Sequence, residues 1–190
     1  ASLGLILASE EIVNALFGYG SFNIENIKMT ASALKYFGYG IPAFALIKIL
    51  SNFFFARNNT KTPFYISTFI VLLNILISIT FFNKIGFVII PIATSISTWI
   101  GVMVYIYLLN DKNFLLLKNY LPKNIFKIIL NTVFMSFLLV FALNYYEDYL
   151  DYNYKYKSVY LLIIVGFVGS VYLISCYLTG ILKTKNFKTK

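Results

Sequence analysis

Three cations set in or beside apolar sequence, Lys48, Arg57 and Lys61, are the side chains best suited to chemistry on an anion. A guanidinium offers a planar fork of donors that matches phosphate oxygens, and an ammonium offers a compact point charge. Arg57 and Lys61 flank a short loop that also carries Thr60 and Thr62. The same residues suit a second role, as a positively charged membrane anchor followed by a helix cap at Thr62 and a proline, Pro63, at the first helical position. Lys48 precedes Arg57 by nine residues, roughly 13 Å along a helix. An ammonium at that depth either faces a polar cavity or snorkels to the interface, and the spacing alone leaves both open.

Asn74 and Ser78 stand four apart, on one face of a helix, and Thr94 lies in the next apolar run. Neutral polar groups of this kind commonly join packed membrane helices. Glu10 and Glu11, and then Glu147, Asp148 and Asp151, form acidic groups without any histidine in the chain. They read as solvated acids at a membrane edge rather than as a general acid–base pair. The lone cysteine, Cys176, lies in an apolar run and reads as a small apolar residue. No catalytic constellation is present, and the chain is not expected to be an enzyme.

These residues need elements to position them, and composition says which. Of 190 residues 59% are hydrophobic and 12% charged, with a mean hydropathy of +0.78. Soluble domains are nearer 45–50% apolar and about 25% charged, so lipid is the expected solvent. The net charge of +9 would suggest nucleic acid in a soluble protein. Here the bases lie between apolar runs, and no nucleic-acid partner is expected. The runs fall at about 29–56, 64–82, 87–109, 125–144 and 159–182, preceded by a shorter one at 1–19 that looks like the tail of a longer helix. The fold class is therefore an all-α integral membrane protein with about five full transmembrane helices plus the end of a preceding one. Pro42 predicts a kink near Gly38, and Pro91 predicts a kink or hinge at Phe87. Gly166, Gly169 and Ser170 predict close helix approach.

Loop charges give an orientation. Arg57, Lys61, Lys112, Lys118, Lys123, Lys127 and the four lysines of the tail share one side, against Lys28, Lys84, Lys155 and Lys157 on the other. By the positive-inside rule the first side, with the C-terminus, is cytoplasmic. The tyrosine-rich segment from Tyr145 to Tyr160 falls where an outer aromatic belt belongs.

The stretch YFGYGIPAFALIKILSNFFFARNNTKTP, from Tyr36 to Pro63, is far more specific than hydropathy. It resembles the MurJ (MviN) family of lipid II flippases, whose helix of pattern G-x-P-A-F-x-L-x-K-x-L runs into F-[FY]-A-R-x-D-T-K-T-P. Flanking segments agree: SEEIVNALFGYGSF from Ser9 to Phe22, and IATSIST from Ile92 to Thr98. The chain departs from the pattern at Asn59, usually Asp, and at Glu11, usually Pro. The resemblance implies a two-lobe, fourteen-helix transporter, part of which is this chain. Residues 1–110 would be second-lobe helices forming a partial lobe. Residues 111–190 would be a cytoplasmic linker, the terminal helix pair and a basic tail. The N-terminal half of the same protein would be absent from the sequence.

The implied function is translocation of a lipid-linked peptidoglycan precursor, lipid II or a similar undecaprenyl-diphosphate-linked substrate, from the inner to the outer leaflet of the bacterial cytoplasmic membrane. Two lobes would rock around a central cavity. Lys48, Arg57 and Lys61 become substrate-binding or gate residues, and the terminal helix pair a groove for the prenyl tail. The resemblance also implies a sodium site at Asn74, Ser78, the carbonyl of Ile90 and Thr94. It is incomplete here, because Ser78 stands where the sodium-binding pattern has Asp, and a further acid would come from outside the chain. No cofactor is expected beyond possible Na+ coupling. A flippase for another polyprenyl-linked oligosaccharide, a related cation-coupled antiporter and a non-transporting membrane scaffold are the alternatives.

Overall fold

The computed structural model describes residues 1–111 and 125–181. The linker lysines Lys112, Lys118 and Lys123 and the basic tail at 182–190, assigned to the cytoplasmic side above, lie outside the described residues. Among the described residues the regular structure is helical throughout. In order the helices are α1 (Ser2–Leu7), α2 (Ser9–Phe17), α3 (Ile24–Phe55), α4 (Lys61–Ile85), α5 (Ile89–Asp111), α6 (Ile125–Tyr145), α7 (Glu147–Leu150) and α8 (Lys157–Leu178), with one 3-10 turn at Gly86–Val88.

Among the described residues, four stretches are long and apolar enough to cross a bilayer: Ile24–Phe55, Lys61–Asp111, Phe126–Tyr145 and Lys157–Leu178. The second is 51 residues long, far more than the roughly 20 a single crossing needs. It folds back at Gly86, whose φ of 74° and ψ of −157° only glycine adopts readily. The stretch thus supplies both expected spans, α4 and α5, as an antiparallel pair. The leading run differs from the expected single helix tail. A break at Ala8, with φ −108° and ψ 22°, divides it into α1 and α2.

The long helices are apolar on nearly every side, as helices surrounded by lipid are. Ile79, Phe137, Leu162 and Leu178 are each at least 70% exposed. Lipid tails are as apolar as these side chains, so helix association depends on close packing and polar links rather than on escape from water. Two bodies result. In the first, α5 packs against both α3 and α4, around Ala43, Leu50, Phe54, Val102, Tyr105 and Leu109. Gly40 lets α3 approach α5, because a Cβ there would stand 2.7 Å from Ser95 Oγ and 3.3 Å from Ser95 Cα. In the second, α6 and α8 pair through Leu139, Leu143, Leu161, Ile164 and Val168. Helices α1 and α2 lie between the bodies. Ala8 and Ala15 pack into the α6–α8 cluster, while Ile6 crosses α3 at Gly38, where a Cβ would stand 2.7 Å from Ile6 Cγ1.

The prolines behave differently from each other. Helix α3 runs unbroken through Pro42. Pro42 removes the donor that would serve the Gly38 carbonyl, and the Ser2 hydroxyl on α1 donates to it instead at 2.6 Å. Pro91 lies in the first turn of α5 rather than inside a helix. A missing N–H has no helical partner to lose there, so the expected kink is replaced by the preceding 3-10 turn. The expected Thr62 cap is also corrected. Helix α4 begins at Lys61, and the Asn59 side chain does the capping, its Oδ1 accepting from the Thr62 N–H at 3.1 Å and its Nδ2 donating to Thr62 Oγ1 at 2.9 Å. Pro63 sits third in α4, still within the donor-free first turn. Gly166 and Gly169 do not mediate close approach among the described residues, since a Cβ at either would meet nothing within 4 Å. Ser170 donates to the Gly166 carbonyl of its own helix.

Candidate functional site

The end of α3 is shaped by a tight turn. Asn58 adopts a positive φ of 55°, which asparagine tolerates better than most residues. The Arg57, Asn58 and Asn59 N–H groups donate to carbonyls of Phe54, Phe55 and Phe54 respectively, closing the helix end. Arg57 Nη1 donates to the Phe53 carbonyl at 2.8 Å, placing its cation at the negative end of the α3 dipole. Lys61 is exposed at the first position of α4, where a cation is electrostatically unfavourable and adds to the positive potential of a helix start. Lys48 is exposed on α3. Arg57 lies past Phe55, the last residue of α3, in the turn itself. Arg57 and Lys61 thus bracket one turn, while Lys48 stands apart from them, deeper along α3.

The polar residues of α4 and α5 do come together. Asn74 Nδ2 donates to Thr94 Oγ1 at 2.7 Å, Thr94 Oγ1 donates to the Ile90 carbonyl at 2.8 Å, and Ser78 Oγ donates to Asn74 Oδ1 at 3.3 Å. All four predicted positions therefore form one hydrogen-bonded ladder across the α4–α5 seam. As a cation site it fits poorly by itself. Its oxygens are neutral, they are engaged with one another, and none carries the negative charge that would offset desolvation of an ion.

Several polar contacts carry no clear signal in the sequence. Ser95 Oγ donates to the Tyr36 carbonyl at 2.6 Å and Trp99 Nε1 to the Tyr39 carbonyl at 3.0 Å. With Ser2, three donors from neighbouring helices thus serve α3 carbonyls around Pro42. Asn131, 2% exposed, ties α6 to α8. Its Nδ2 donates to the Lys127 carbonyl at 2.8 Å and to Thr179 Oγ1 at 3.1 Å, and its Oδ1 accepts from Ser175 Oγ. An asparagine inside an apolar run was the available cue. Lys157, counted above as a topology charge, is fully buried.

Glu10 and Glu11 are far in sequence from Glu147, Asp148 and Asp151. They line one cavity of about 580 Å³ between α2, the start of α3, the end of α6 and α7. The neighbouring tyrosines form a connected cluster, with Tyr149 stacked on Tyr160 at 4.7 Å and Tyr154 edge-on to Tyr160 at 5.7 Å. Hydrogen bonding to Tyr160 pushes the Tyr154 phenol above its ordinary pKa, with burial and nearby phenols adding to the effect. The Tyr154 phenol thus stays neutral at physiological pH, and the ring cluster suits an interfacial aromatic belt. Below it, Tyr145, Tyr146 and Tyr160 open onto an apolar groove of about 530 Å³ between α6 and α8, walled by Phe141, Ile163 and Phe167.

Apolar crossings joined by polar seams, with a cationic turn at one end and a tyrosine belt at the other, define a multi-pass α-helical membrane protein. The family profile for lipid II flippase MurJ matches residues 1–162. The probable lipid II flippase MurJ of Rickettsia prowazekii (strain Madrid E) is 30% identical over 174 residues, covering 92% of this chain and 33% of that protein. The lipid II flippase MurJ of Thermosipho africanus (strain TCF52B) is 32% identical over 149 residues, covering 78% of this chain and 29% of that protein. A solved structure of lipid II flippase MurJ in an inward closed conformation superposes with a TM-score of 0.68 at 31% identity, over 94% of this chain and 35% of that one. This chain belongs to the lipid II flippase MurJ family. It spans about a third of the length of the relatives it matches.

Proposed function

We propose that this chain is the C-terminal portion of a lipid II flippase, which moves lipid II or a similar undecaprenyl-diphosphate-linked precursor from the inner to the outer leaflet by alternating access. The observation that carries the reading is the family match over residues 1–162, within which the Tyr36–Pro63 segment builds the α3–α4 cationic turn. On this reading Arg57 and Lys61 meet the diphosphate at the cytoplasmic mouth, and Lys48 offers a second cation deeper along α3. Residues 1–110 supply second-lobe helices, and the α6–α8 pair holds the prenyl tail in its apolar groove. The substrate changes leaflet without a bond being made or broken, so the protein acts as a transporter and not as an enzyme. It sits in the bacterial cytoplasmic membrane with its C-terminus in the cytoplasm. The α4–α5 ladder serves chiefly as helix glue, and sodium coupling there would need a carboxylate from outside this chain.

Complementation tests this. The protein made from its complete gene is expressed in a bacterium depleted of its own flippase, with survival and a leaflet-specific assay for lipid II as readouts. Rescue is expected, and loss of rescue on changing Lys48 and Arg57 together to Ala at unchanged abundance. Failure to rescue despite good membrane expression would move the assignment to another polyprenyl-linked substrate. Rescue that survives both substitutions would leave the function standing and return the two cations to anchoring roles.

A further inference from the structure

We infer that Lys157 is a positioning residue that pins the α6–α8 pair, and with it the apolar groove, to the α2–α3 corner, so that groove and corner move together. The inference rests on the flippase reading for its functional consequence, though not for its geometry. A lysine that merely sets topology should reach into water. Lys157 is instead 0% exposed. Its ammonium donates to the Gly18 carbonyl at 2.6 Å, the Tyr152 carbonyl at 2.7 Å and Asn14 Oδ1 at 2.9 Å. Three acceptors match its three donors. The rings of Tyr19 and Tyr152 lie 4.5 and 4.7 Å away and add two cation–π contacts. Gly18 leaves room for this arrangement, because a Cβ there would stand 2.9 Å from the ammonium.

Neighbouring bonds join the same two bodies. Ser158 Oγ donates to the Ala15 carbonyl at 2.6 Å, Asn14 Nδ2 to the Leu150 carbonyl at 2.7 Å, and Tyr152 OH to the Phe22 carbonyl at 3.0 Å. The opposite end of the pair is built differently. Among the described residues its polar links, from Asn131 and Lys127 to Thr179 and Ser175, run only between α6 and α8. The pair is therefore clasped to itself at one end and fastened to the lobe at the other. The groove opens at Tyr145, Tyr146 and Tyr160, at the fastened end. A lipid chain lying in it is held in register with the lobe only as firmly as that fastening holds.

The test uses the protein from its complete gene, with Cys176 replaced by Ser and spin labels at Asn52 on α3 and Leu178 on α8. Lys157→Met should broaden a narrow inter-label distance distribution. At equal abundance it should also reduce, several-fold, the preference for translocating undecaprenyl-linked over short-chain lipid II. A general loss of stability would lower both lipids alike. An unchanged distance distribution overturns the inference, and so does a broadened one with the chain-length preference intact. Ser158→Ala removes the bonds to the Ala15 carbonyl and the Tyr19 hydroxyl, part of the same fastening, and repeats the test more mildly if Lys157→Met fails to accumulate. Should the wild type translocate neither lipid, the flippase reading fails while the distance measurement still decides whether Lys157 pins the pair.

Discussion

The residues that look most alike in the sequence have different fates in the fold. Lys48 and Lys157 are both lysines near apolar runs, yet one is exposed and the other fully buried. Only the second meets three oxygen acceptors, and they come from segments far apart in the chain. Asn59 caps α4 through both its oxygen and its nitrogen. An aspartate could accept from the Thr62 N–H but could not donate to the Thr62 hydroxyl. Ser78 illustrates the converse, a position whose partners are in place while its charge is not. Ser78→Asp would put a carboxylate four residues from Asn74 and add a charged oxygen to the neutral set of Thr94 and the Ile90 carbonyl. The melting temperature of the detergent-purified Ser78→Asp protein is expected to rise by a few degrees in Na+ relative to K+, as ligand linkage requires. The wild type should show no such difference. Equal curves for the variant in both salts would mean that the ladder cannot be converted into a cation site.

At the scale of elements, the α3–α5 contact depends on what glycine leaves out more than on what polar groups add. Side-chain hydrogen bonds between membrane helices are worth about 0.6 kcal/mol on average, so Ser95→Ala is expected to cost roughly that amount. Gly40→Leu places a whole side chain where a Cβ alone would already stand 3.3 Å from the Ser95 backbone. It must push α3 and α5 apart or distort them, costing about 1–3 kcal/mol or more, as overpacking does. Denaturant-driven unfolding of the purified protein checks the order of the two. A larger effect for Ser95→Ala would show that polar contacts dominate this seam. The same logic explains why α3 survives Pro42. The lost bond is replaced from α1 through Ser2, and the strand of carbonyls nearby is served by Ser95 and Trp99.

For the whole molecule the consequence is orientation. The Arg57 turn and the start of α6 belong to one end, and the Tyr154 cluster, the acidic cavity and Lys157 to the other. The positive-inside bias predicts that the first end is cytoplasmic. Cysteine placed at Thr60 should react with a membrane-impermeant reagent only after permeabilisation, while cysteine at Asn153 should react in intact cells. The native Cys176 is buried and gives little background. The reverse pattern would invert the topology and remove the cytoplasmic-mouth role given to Arg57 and Lys61.

Composition and hydropathy determined that the chain is helical and membrane-embedded, because a bilayer admits helices only where about 20 successive residues are apolar and every backbone group is bonded within the segment. The motif from Tyr36 to Pro63 determined the family, since its order of small, aromatic and cationic residues is far rarer than hydropathy. The polar positions Asn74, Ser78, Ile90 and Thr94 were legible as a group through helical spacing and resemblance. Tertiary structure alone decided which helices touch, that Asn59 rather than Thr62 caps α4, that Gly38 and Gly40 but not Gly166 or Gly169 are points of close approach, and that the separate acids share a cavity. It also decided that Lys157 is buried. All but the local Asn59 cap depend on partners far away in the chain, and a one-dimensional pattern records what a residue can offer but not which carbonyl, ring or Cβ it will meet.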